Sequence, residues 1–214
     1  MRIDTRTLYR PVGLKEAQLI LEADSRAFPP RRPEQPIFYP VLNFQYAEQI
    51  ARNWNTKNAG SGFVGFVTEF QMDKTYIEQF EEHVVGASTH RELWIPTERL
   101  DDFNRHIQGR IKITASYYGD GYEGPRHWSK DWYADEIFEA LYTTSLHSGQ
   151  DFSGEMTLNR NAILLNFKYW ATHDLSKYVL YEGEQERFLQ FLADTWVSKF
   201  PDIHLIGSEL VDVS

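Results

Sequence analysis

Residues 28–36 read FPPRRPEQP, four prolines in nine positions. Proline fixes φ near about −65° and lacks an amide donor, so this stretch can be neither helix nor central strand and must run as an extended surface loop. Further prolines at 40 and 96 stop the apolar runs IFYP and ELWIP, and Pro11 follows the first run, TLYR. The N-terminal half is therefore built from short strands and short helices.

Between those stops the pattern is legible. Thr7–Arg10 reads as a strand and Leu14–Glu22 as a helix with Leu14, Ala17 and Leu21 on one face. Ile37–Asn43 reads as a strand. Asn43 is placed to cap the helix that follows, whose Ala47, Ile50, Ala51 and Trp54 recur at helical spacing. Phe63–Phe70 reads as a strand covered on both faces, Asp73–Phe80 as a short helix or turn, and Arg91–Pro96 as a strand. A helix capped by Thr97 and ended by Gly109 follows, with Leu100, Phe103 and Ile107 inward and Asn104 satisfying backbone groups. Ile111, Ile113, Ala115 and Tyr117 alternate with polar residues as a strand with one wet face. Further on, Asp131–Tyr142 and Glu184–Lys199 read as helices. Residues 154–171 read as a hairpin turning at Asn159–Asn161, with helix as the competing reading because Ile163, Phe167 and Trp170 also fit that period. Trp128, Trp132, Trp170 and Trp196 form either a core or a partner surface.

Charge divides the chain. Residues 1–119 hold 15 Lys+Arg and 15 Asp+Glu; residues 120–214 hold 7 and 16, so the whole net charge of −9 lies in the second part. With GDGYEGP at 119–125 as the joint, this predicts two units, 1–119 and an acidic α+β unit at 120–214. The acidic part suits a basic protein partner better than nucleic acid, whose affinity rests on cationic contacts to phosphate. No apolar run is long enough for a membrane span, and Met1–Arg10 has no signal-like core, so a cytoplasmic location is expected. There are no cysteines, which excludes disulfides and thiolate chemistry. The seven histidines show no metal-ligand spacing, and no metal is expected.

Three polar residues stand within or beside apolar strands: Arg10, Tyr39 and Glu92. Gathered by sheet pairing, they have a coherent use. An arginine can clamp a pyrophosphate or ribose, a tyrosine can stack on a planar heterocycle, and a carboxylate can stabilise an oxocarbenium-like centre. Such a set suits cleavage of an N-glycosidic bond in a dinucleotide. Each also has a plain reading: a strand-end arginine, a core tyrosine (with Phe38 as the alternative one register off), and a paired glutamate.

The segments LYRPVGLKEAQLI, RAFPPRRPEQPIFYPVLNFQYAEQIARNWN and RELWIPTERLDDFNRHIQGRI resemble bacterial proteins labelled "ADP-ribosylation/crystallin J1", over about residues 7–119. The element order also resembles the ADP-ribosyltransferase fold. That resemblance implies a mixed, mostly antiparallel sheet and NAD as substrate. It puts Arg10, Tyr39 and Glu92 at the first-, second- and later-strand catalytic positions. Arg10 and Tyr39 would bind the dinucleotide, with Phe38, Arg31, Arg32 and His90 nearby. The chain pairs a first-strand arginine with a tyrosine, lacks a Ser-Thr-Ser motif, and carries His90 two residues before Glu92, which leaves a protein or nucleic-acid acceptor open. The functions expected are NAD-dependent ADP-ribosyl transfer or NAD hydrolysis. The alternative is an inactive scaffold of the same kind acting as an immunity- or antitoxin-like binding protein.

Overall fold

Strand β1 (Thr5–Val12) alternates, with Leu8, Arg10 and Val12 buried while Tyr9 and Pro11 are half-covered. The computed structural model describes residues 4–31, 34–126, 133–147 and 152–211. They fall into two compact units, Met1–Tyr122 and Glu123–Ser214. The chain is α+β, and every strand pairing among the described residues is antiparallel.

In the first unit β3 (Val64–Asp73) is central, paired with β1 on one side and β7 (Ile107–Tyr118) on the other. Val64 to Thr68 are all buried, as a strand covered on both faces requires. Helix α1 (Leu14–Glu22) buries Ala17, Ile20 and Leu21. Helix α2 (Phe44–Asn53) buries Tyr46, Ala47 and Ala51 in a cluster with Val41, Val67 and Ala115. Asn43 caps α2, its side chain accepting from the Tyr46 N–H at 2.8 Å. Trp54, expected on the inner face, lies just past the end of α2 and is 55% exposed.

Beyond β1 the sheet continues through short pieces. Strands β2 (Ile37–Phe38) and β6 (Ile95–Pro96) pair, and so do β4 (Glu82–Val84) and β5 (Arg91–Leu93). Helix α3 (Lys74–Ile77) follows β3 and is capped by Asp73. Single bridges join Tyr9 to Val41 and Val41 to Glu92, so β1 connects through Val41 to β5 and then β4. Pro36 and Pro40 explain the fragmentation of the strand expected at Ile37–Asn43. Helix α4 (Leu100–Arg105) buries Leu100 and Phe103, but Thr97 does not cap it, and its hydroxyl is buried without a partner. Gly109 lies inside β7 instead of ending α4. Its φ of 84° sits where the β3–β7 register shifts, a bulge that favours glycine. Asn104 accepts from the Phe28 N–H and donates to the Phe28 C=O, both at 2.9 Å, which ties down the start of the proline loop.

The described residues of the second unit are helical, not α+β. Helix α5 (Ala134–His147) buries Ala134, Ile137, Phe138 and Leu141, and α8 (Glu184–Lys199) buries Phe188, Leu192 and Trp196. The hairpin expected at 154–171 is instead α6 (Phe152–Leu158) and α7 (Arg160–Thr172). Ile163, Leu164, Leu165, Phe167 and Trp170 are all buried, so α7 is covered on most of its circumference and its apolar run imitates strand alternation. Trp170 and Trp196 are core; Trp128 and Trp132 lie outside the described residues. Among the described residues no helix is long and apolar enough to cross a membrane.

Helix α2 and strand β3 approach closely at Gly65, where an added Cβ would stand 2.1 Å from the Ala51 carbonyl oxygen on α2. Gly65→Ala is expected to lower stability by about 3 kcal/mol through forced separation of α2 and β3. Urea unfolding checks this, and a loss under about 0.5 kcal/mol would show that the helix yields freely.

Candidate functional site

The sheet register decides which candidate side chains meet. Residues directly opposite in an antiparallel pair share a face. Tyr9, Val41, Glu92 and His83 are opposite one another in turn across β1, the Val41 segment, β5 and β4. The register of Ile37↔Pro96 and Phe38↔Ile95 carries through to Val41↔Glu92, which sets Tyr39 opposite Trp94. Tyr39, Val41, Glu92, Trp94 and His83 therefore share the α2 face of the sheet.

Arg10 is one residue out of phase with Tyr9 and points to the other face. All three guanidinium nitrogens are bonded there. Nε and Nη2 donate to the Glu16 carboxylate of α1 at 2.7 and 3.2 Å, Nη1 donates to the Tyr39 carbonyl at 3.0 Å, and the cation lies 4.4 Å from the centre of the Phe38 ring. Arg31 lies on the same side, 3.6 Å from Glu16 and bonded to Gln35 at 2.8 Å. Phe38 is fully buried against Phe28 and Phe103. The expected ligand clamp is thus an internal cross-link: Arg10 and Phe38 meet Tyr39 through its backbone, not its ring. Arg32 lies outside the described residues.

Tyr39 and Glu92 are brought together, with Trp94 between them. The Trp94 indole Nε1–H donates to Glu92 at 2.8 Å, and the Tyr39 and Trp94 rings meet edge to face, 6.1 Å apart at 87°. The His83 imidazole stacks on Trp94 at 4.1 Å. His90, expected beside the cofactor, stacks instead on Tyr46 at 4.3 Å, and its Nε2 lies 3.0 Å from Gln49. Burial, and secondarily the Glu92 charge, hold the Tyr46 phenol above its ordinary range, which places an uncharged hydroxyl-bearing ring near the carboxylate at neutral pH.

Glu92 is only 9% exposed, and among the described residues it has no ion pair. A nearly buried carboxylate without a cation is costly, and an indole N–H offsets only part of that cost. Tyr39 and Trp94 beside it are 38% and 43% exposed, so the carboxylate lies at the foot of two accessible aromatic rings. Such a site favours a cation or a centre that develops positive charge. Among the described residues no group of three or more metal-ligating side chains is gathered.

No protein-family model, curated protein or solved structure matches the chain. The chemistry of the site therefore rests on its own geometry. Trp94, His83, Tyr46 and Glu16 are the residues that sequence reasoning missed. Trp94 was open to detection, because it stands two residues from Glu92 in a strand and so on the same face. Glu16 required knowing that α1 folds back over β1.

If Arg10 is a cross-link, its loss is a stability effect coupled to Glu16. Arg10→Met is expected to cost about 3 kcal/mol, and a double-mutant cycle with Glu16→Gln to give a coupling of about 1–3 kcal/mol in chemical denaturation. Additive effects of the two substitutions would leave Arg10 without that role.

Proposed function

We propose that the N-terminal unit binds NAD and cleaves its nicotinamide–ribose bond, for ADP-ribosyl transfer or hydrolysis, at Glu92. The observation that carries this reading is the uncompensated Glu92 carboxylate, oriented by the Trp94 indole and flanked by accessible aromatic rings. Nicotinamide stacks on Tyr39 or Trp94. Glu92 accepts a hydrogen bond from a ribose hydroxyl, and its charge stabilises the oxocarbenium-like sugar as the C–N bond breaks. The bonding pair leaves with nicotinamide, now a neutral base. An acceptor nucleophile or water then bonds to the same carbon and gives up its proton. Arg10 contributes by holding the Tyr39 backbone. The order of elements, which resembles that of the ADP-ribosyltransferase fold, supports the same reading.

One observation favours the alternative, a protein that keeps the scaffold and binds without turnover. The Arg10 guanidinium gives its Nε/Nη2 fork to the Glu16 carboxylate and Nη1 to the Tyr39 carbonyl, so that fork is not free for a pyrophosphate. Nicotinamide release separates the two readings. On the enzymatic reading, Glu92→Gln lowers turnover about 100-fold and leaves the NAD dissociation constant within about threefold, because the carboxylate acts mainly in the transition state. Equal NAD consumption by the variant contradicts the assigned role. Binding of NAD by the wild-type protein with no nicotinamide released selects the binding reading.

A further inference from the structure

The second unit carries a groove that the NAD reading does not use. It lies between the last turns of α5, which supply Tyr142, Ser145 and Leu146, and the first half of α8, which supplies Glu184, Arg187, Phe188 and Phe191. Its volume is about 200 Å³. Small-molecule sites usually span about 300–1,000 Å³, so this one is scaled to a single large side chain.

The wall of the groove is fixed by polar bonds. The Tyr142 hydroxyl donates to the Glu184 carboxylate and accepts from the Leu180 N–H at 3.2 Å, and Glu184 also accepts from the Tyr181 N–H at 3.2 Å. Burial first, and then the Glu184 bond, keep the Tyr142 phenol above its ordinary range, so it remains a donor at neutral pH. These bonds pin the turn before α8 and present Leu180 and Tyr181 outward, 67% and 71% exposed. Leu146 and Phe191, on opposite sides of the groove, are 48% and 41% exposed. Large apolar side chains gathered around a concavity mark a contact surface, whereas scattered ones do not.

Charge identifies what that surface fits. The unit Glu123–Ser214 contains 7 Lys+Arg against 15 Asp+Glu, a net of −8. Glu182, Glu184 and Glu186 cluster at the start of α8; Arg187, which also lines the groove, lies 3.9 Å from Glu184, so Glu182 and Glu186 carry the excess negative charge beside it. We propose that the groove docks a basic segment of a protein partner, which seats one large apolar side chain between α5 and α8 while its flanking Lys or Arg residues meet the acidic surroundings. A buried anchor and a charged rim together follow the usual anatomy of a recognition site.

The test uses the full chain and three fluorescein-labelled pentapeptides followed by anisotropy. One has a central Phe flanked by two Lys on each side, one has Ala in place of Phe, and one has Glu in place of Lys. The Lys-flanked Phe peptide is expected to bind at least tenfold more tightly than either other peptide. Leu146→Asp or Phe191→Asp should each weaken it at least tenfold, and Glu92→Gln should leave it unchanged, so this result is independent of NAD turnover. Should either groove variant lose its fold by circular dichroism, Leu180→Asp, at a more exposed position, is read in its place. Equal binding of the Ala or Glu peptides, no binding of any peptide, or unaltered binding by the variants overturns the proposal. So does a concentration-dependent dimer in sedimentation velocity that Leu146→Asp dissolves, because the groove is then filled by a second copy of this chain.

Discussion

The first unit depends on three residues, Pro40 to Leu42, that stitch β1 to β5. Val41 exchanges both of its backbone hydrogen bonds with Tyr9, at 2.8 and 2.9 Å. On its other side the Pro40 carbonyl accepts from the Leu93 N–H at 2.9 Å, and the Leu42 N–H donates to the Arg91 carbonyl at 3.0 Å. Proline tolerates this place because the pairing uses its carbonyl and never asks for an N–H. This clip is the backbone pairing that joins β5, and through it β4, to β1, and it fixes the register of Glu92 relative to the three-stranded core.

The clip also sets the parity of the site. Because side chains alternate along a strand, fixing Tyr9 opposite Val41 and Val41 opposite Glu92 puts Tyr39, Glu92 and Trp94 on one face and Arg10 on the other. A shift of one residue at any of these pairs would exchange the contents of the two faces. As folded, positive charge gathers on the α1 side, where Arg10 and Arg31 share Glu16, and the α2 side keeps a carboxylate with an indole donor and no cation among the described residues. The Arg10 cross-link supports the other face through the backbone, since its bond to the Tyr39 carbonyl fixes the chain just before the clip.

Much of the scaffold was legible because local chemistry was strong. Asn43 at the cap of α2, the bounds of α1 and α8, the wet-faced strand at β7 and the proline loop tied down by Asn104 all follow from side-chain oxygens, periodicity or missing amide donors. The second unit was misread at 154–171 because a helix buried on most sides has no polar face to reveal its period, and Asn159, read as a turn, sits between two helices. Within the site, Tyr39 and Glu92 were found as polar residues in apolar strands, which the cost of burial makes conspicuous. Their separation from Arg10 was not legible, because it depends on cross-strand register, and no local pattern in Thr7–Arg10 states which residue will face Val41.

What remains is a carboxylate whose chemistry is set by what surrounds it: an indole N–H that orients it, two partly exposed aromatic rings, and no internal counter-ion among the described residues. The most direct probe of this carboxylate is the indole Nε1–H resonance of Trp94, assigned by its disappearance in Trp94→Phe among the signals of the six tryptophans. In a ¹H–¹⁵N titration with NAD this resonance should move and saturate, because the ligand enters the space that the indole and Glu92 share. A Trp94 signal unmoved by saturating NAD would contradict a nicotinamide nucleotide site at this carboxylate.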